Sequence, residues 1–179
     1  MAVNRKYVAA AALVASMASS VAADTRFTIS SPAFGHGTPI RKKYTCDRAD
    51  LSPPLRWTGS PPGTKSFAVV AEDPDVPAGS WAIWVLYDLP ADTTALRQGI
   101  PSGARLPNGA RQGVNEFGRL GYSGPCPGPG KVHHYWFRVY ALSAPLGLEP
   151  GATKVDVFRA MRHRVLRVAE VMASYERRR

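Results

Sequence analysis

Only two cysteines, Cys46 and Cys126, occur in 179 residues. That excludes a disulfide-dense mini-scaffold and any centre built on several thiolates. Acids are few as well: 13 Asp and Glu stand against 23 Lys and Arg, a formal net charge of +10. The four histidines, His36, His133, His134 and His163, lack zinc-site spacing, so no metal is expected. The apolar run Tyr7 to Met17 is too short for a comfortable membrane span, and no later stretch approaches the length needed. Internal repeats and low-complexity linkers are missing too. One domain with a real core remains, since 45% of the residues are hydrophobic.

The first apolar run has a meaning of its own. Arg5 and Lys6 precede it, and Val21-Ala22-Ala23 fits the small-residue cleavage rule, so residues 1–23 read as a secretory signal peptide. The mature domain, 24–179, is expected in the periplasm or outside the cell, with no stable membrane anchor. Loss of Arg5 and Lys6 leaves 21 bases against 13 acids, a net charge of +8. Such a surface attracts anions, including an acidic protein partner. Seven arginines fall within the last 21 residues and read as a solvated helix face plus a basic tail. Nucleic acid is not an expected partner, because the basic groups are not interleaved with exposed aromatics in a recognisable module. In an oxidising compartment Cys46 and Cys126 are a candidate disulfide closing a loop of 80 residues; free buried thiols are the alternative.

What is present is a series of short apolar runs between turns, with 16 glycines and 16 prolines in the chain. That pattern suits a β-sandwich or barrel-like domain. The strand candidates are 26–31, 65–73, 82–89 and 135–142. In the last, Tyr135, Phe137, Val139 and Ala141 share one face, and Trp136, Arg138 and Tyr140 the other. Both faces are rich in apolar or aromatic groups, which predicts a strand covered on both sides. From Thr153 to about Glu176 the spacing changes to three and four, through Val155, Phe158, Met161, Val165, Val168 and Met172. This predicts a long amphipathic helix packed on the sheet, with Thr153 as N-cap and Asp156 supporting its first turn.

Several segments could carry chemistry. Asp73 and Asp75 each sit close before a proline, which stiffens the backbone in an extended form and fixes the carboxylates. Two aspartates two residues apart point to opposite sides, the wrong arrangement for a glycosidase pair, and calcium needs more oxygens than this stretch supplies. Turn capping by both is the plainer reading. A Cys126–His133 nucleophile and base is set aside, since nearness in sequence is not the required geometry, and no enzyme activity or cofactor is expected. The stretch GPCPGPG, 124–130, offers glycine N–H groups that can approach an anion, while its prolines limit the freedom lost on ordering.

Taken in order, KYTCDRADLSPPLRW (43–57), GTKSFAVVAEDPDVP (63–77), WAIWVLYDLP (81–90), GVNEFG (113–118) and GYSGPCPGPGKVHHYWFRVYAL (121–142) resemble the phosphatidylethanolamine-binding proteins, in the bacterial YbhB/YbcL-type, Raf-kinase-inhibitor-like branch. The resemblance covers 26–176. It implies a mainly-β domain, two antiparallel sheets with a C-terminal helix, and a small pocket for phosphate or phosphorylated headgroups such as phosphoethanolamine. The implied ligand-binding residues are Asp73, Trp84, Gly124, Pro125, Cys126, Pro127, His133 and Tyr135. The chain departs from the family at Ile83, where histidine usually precedes the tryptophan. An apolar group there removes a donor to an anion and one partner of Asp73, and an ionised Asp73 repels phosphate unless paired. Weak phosphate binding, a different ligand, or a vestigial pocket on a protein that acts through its basic surface are the readings this leaves.

Overall fold

The computed structural model describes residues 26–178, so the signal peptide expected over 1–23 lies outside the described residues. The turn-separated apolar runs become strands β1 (Thr28–Ser30), β2 (Thr38–Pro39), β3 (Leu55–Thr58), β4 (Ser66–Asp73), β5 (Trp81–Pro90), β6 (Ala95–Leu96), β7 (Arg111–Gln112), β8 (Val132–Leu142) and β9 (Val165–Glu176), with one α-helix among the described residues, α1 (Lys154–Met161). A small sheet has the order β1-β3-β6 and a large one the order β2-β9-β8-β4-β5-β7. All pairs are antiparallel except β2 with β9.

Period-two patterning explains the layers. In β4, Phe67, Val69 and Ala71 turn toward the small sheet and join Trp57 of β3 and Phe137 of β8 in the main core. Ala68 and Val70 turn the other way, onto a second cluster with Tyr87, Leu142, Val157 and Met161. The centre of the large sheet is therefore covered on both faces, by β1-β3-β6 on one and by α1 on the other, while the helix-side face of β9 stays largely exposed. Its central strand β4 is buried at every residue, as its unbroken apolar run requires.

The expected long helix is corrected. Only Lys154–Met161 is helical, and 165–176 is a strand paired with β8 along nearly its whole length. The start is as expected: Thr153 accepts from the Asp156 N–H, and the Asp156 carboxylate accepts from the Thr153 N–H, a complete capping box. The apolar stripe is not, since Val155 is 60% exposed while Val157 and Met161 are buried. Beyond Met161 the chain turns through His163, whose φ is +62°. Ala169, Val171, Ala173 and Tyr175 then alternate inward, a period of two overlaid on the three-and-four spacing of the bulkier Val165, Val168 and Met172. Pairing with β8 decided between the two periods.

One irregularity in the large sheet sets which side chains reach its end. Ala71 lies opposite Trp84 but Glu72 lies opposite Ala82, so Ile83 is an extra residue in β5. Strict alternation would send Ile83 and Trp84 to opposite faces. The bulge lets both join the inter-sheet core, while Ala82 and Val85 face the helix side.

Candidate functional site

The acidic end of β4, the start of β5 and the first residues of β8 meet at one end of the large sheet, where Asp73 lies opposite Trp81 and Glu72 opposite Trp136. They floor a cleft of about 580 Å³, a size suited to a small ligand. Asp73, His133, Tyr135 and Ile83 form its base. Val76, Pro77 and Ala78 from the turn after β4 make one wall, and Cys126 to Pro129 with Lys131 make another. Trp81 and Phe117 complete it, their rings edge-on at 5.7 Å.

The two aspartates and the two histidines sort themselves by alternation. His133 donates from Nδ1 to Asp73 Oδ2 at 2.7 Å, and both are buried, at 9% and 4% exposure. The other Asp73 oxygen accepts the Asp75 N–H at 2.9 Å. His134, on the opposite side of the strand, binds Asp75 Oδ2 through its N–H and Nδ1, at 2.7 and 2.8 Å. The partner that Ile83 cannot give Asp73 thus comes from β8. Asp73 is part of a closed pair rather than a lone buried carboxylate.

Burial raises the pKa of Asp75, but the His134 side chain and N–H outweigh it, and the net shift is downward from the usual 3.8. A lowered carboxylate pKa contributes stability above its unfolded value and loses it as pH falls through the folded one. The His134 amide resonance is expected to titrate with a midpoint below 3.8; a midpoint above it would contradict the assignment.

Tyr135 stands apart. Its hydroxyl is buried, and among the described residues no partner meets hydrogen-bond geometry, although the Asp73 carboxylate and the Cys126 backbone lie near enough to act on it. Burial first, and then the charge of the neighbouring Asp73, push its pKa up, so the phenol stays protonated. Among the described residues, no hydrogen bond reaches the second ring nitrogen of His133, Nε2. The cleft floor therefore holds one buried hydroxyl and one ring nitrogen without a hydrogen-bond partner among the described residues.

The wall 124–130 is held from behind. Cys46 and Cys126 are bridged, with Cα atoms 5.4 Å apart. Cys46 N–H donates to Pro125 O at 3.2 Å, and Gly124 N–H to Asp50 Oδ1 at 2.6 Å. Gly124 is required here because an added Cβ would lie 2.3 Å from Tyr44 O. Gly130 N–H donates to Arg177 O, and Arg177 Nε with the Tyr175 hydroxyl binds Asp47, whose pKa falls, mainly through the Tyr175 bond.

Of the residues expected at a ligand, Asp73, Cys126, Pro127, His133 and Tyr135 line the cleft, whereas Trp84, Gly124 and Pro125 do not. Trp84 is fully buried in the core and donates from its indole to Gln112 Oε1 at 3.1 Å. The bulge brings Ile83, not Trp84, to the cleft. The amides of Gly124 and Gly130 already serve Asp50 and Arg177, which corrects the expected nest of glycine N–H groups and leaves only Gly128 of the three at the cleft. Trp81, Phe117 and Lys131 were missed. Their signal was present, since Trp81 opens the strand paired with β4 and Phe117 sits in the GVNEFG motif.

A family model described as phosphatidylethanolamine-binding protein matches residues 30–176. A UPF0098 protein of Methanothermobacter thermautotrophicus is 48% identical over 145 residues, covering 81% of this chain and 95% of that protein. A crystal structure of a putative phosphatidylethanolamine-binding protein homologue from Chlamydia trachomatis superposes with a TM-score of 0.78 at 37% identity, over 86% of this chain and 99% of the other. Escherichia coli YbcL, a member of the same family, gives a TM-score of 0.79 at 33% identity, over 85% and 99%. The mainly-β two-sheet fold, the cleft at the sheet end and these likenesses agree: the chain belongs to the phosphatidylethanolamine-binding protein family.

Proposed function

We propose that this chain is an exported, non-catalytic binding protein whose cleft takes a small ligand with a phosphoryl head and an apolar body. The observation that carries the reading is at the floor, where the Tyr135 hydroxyl, without a hydrogen-bond partner among the described residues, neighbours the Asp73–His133 pair. A phosphoryl oxygen accepts from the Tyr135 hydroxyl, and from Nε2 when the imidazole carries both protons, while Lys131 supplies a cation at the wall. The Asp73 charge opposes the head but is offset by His133 and the Asp75 N–H. Trp81 and Phe117 cover the apolar remainder, and Phe117 is 42% exposed, so a protein docking at the rim would sense whether the cleft is filled. Export rests on the leader at 1–23, and a bridged Cys46–Cys126 pair suits an oxidising compartment.

The test is titration of the mature protein with phosphate and with phosphoethanolamine, alongside Ile83→His. An added imidazole restores a charge-assisted hydrogen bond of roughly 1.5–3 kcal/mol, so the variant should bind at least about tenfold more tightly. Phosphoethanolamine, with more to cover, should bind more tightly than phosphate to both. Absence of binding by either form would end the ligand reading.

A further inference from the structure

A second groove, away from the cleft, lies along β6 at the edge of the small sheet. We propose that it docks an extended acidic segment of a partner protein, added as a fourth strand beside β6. The backbone supplies one reason. Arg56 of β3 lies opposite Ala95, while Trp57 N–H donates to Thr94 O at 2.9 Å. Hydrogen-bonded and non-bonded pairs alternate along an antiparallel ladder, so Arg56 and Ala95 form a non-bonded pair. Ala95 therefore turns its N–H and C=O away from β3, and β6 ends the sheet order. Only another backbone satisfies such an edge in kind.

Charge supplies the second. The groove, about 540 Å³, contains the side chains of Arg56 and Arg97 and no acidic residue. Both arginines are exposed, and neither has an ion-pair partner among the described residues. Pro54, Leu96 and Ile100 line the space beside them. Residues of an incoming strand opposite Ala95, and two further on, share the outer face with these guanidiniums. Carboxylates there would be gripped by planar donors, and the alternate apolar residues would meet the Pro-Leu-Ile surface.

The probe is the acetylated, amidated peptide Glu-Val-Glu-Val-Glu, added to the mature protein at low ionic strength and followed by backbone NMR. The expected result is protection and shift of the Ala95 and Arg97 amides. It should fade with added salt and weaken by about tenfold or more in R56E/R97E. Both positions are exposed, so thermal unfolding of that variant should match the parent. Ile83→His should leave peptide affinity unchanged, which separates this groove from the phosphoryl cleft. The proposal is overturned if the peptide instead shifts residues 164–178, if charge reversal changes nothing, or if succinate perturbs Ala95 as strongly as the peptide does.

Discussion

Replacing both Cys46 and Cys126 by serine should lower the unfolding free energy by about 4–5 kcal/mol, the chain-entropy value for a loop of 80 residues. Urea unfolding of parent and variant reads the change directly, as would unfolding of the parent with and without a dithiol reductant. The local effect should match the global one. Cys126 lines the cleft, and Pro127 and Pro129 on the same wall donate no hydrogen bonds. Without the bridge that wall keeps the backbone bond from residue 46 to Pro125 O and its anchors at the two ends, Asp50 to Gly124 and Arg177 to Gly130. Hydrogen exchange at Gly128 should accelerate well before the strands respond. A change below about 1 kcal/mol would mean that the anchors, not the bridge, hold the wall.

Two tryptophans three residues apart should respond in opposite ways. Trp84→Ala removes a fully buried ring and leaves Gln112 Oε1 unmatched, at a cost of about 3–5 kcal/mol. Trp81→Ala opens the cleft instead, and should cost under about 1.5 kcal/mol while weakening phosphoethanolamine binding severalfold. Chemical denaturation and ligand titration of both variants give the four values. If Trp84→Ala impaired binding with stability intact, the placement of the two rings would be reversed.

The central strand announced itself, because 65–73 holds the apolar run 67–71 bounded by turn residues; 135–142 was legible as a strand too, but its second face is only half-buried at Trp136 and Arg138, short of the two-sided cover expected. The short strands at 38–39, 95–96 and 111–112 did not, since two residues have no period. Residues 165–176 misled because alternation of small residues is a fainter pattern than the spacing of large ones, and only the contact with β8 separates them. At the cleft, a fixed carboxylate at Asp73 was readable from the strand end and turn chemistry, and His133 as a ligand residue only through the family resemblance. That they pair across 60 residues was not, and neither was Trp84, because a single inserted residue in β5 reverses the side to which it points.

That insertion has an evolutionary reading. Because positions 83 and 84 look the same way from one bend in the ladder, Trp84 supplies the ballast that keeps the sheets together. Its neighbour at the cavity is freed from that duty. Selection can therefore exchange imidazole for a branched alkyl group, or for something else, while the scaffold stays intact, and ligand preference can drift one side chain at a time.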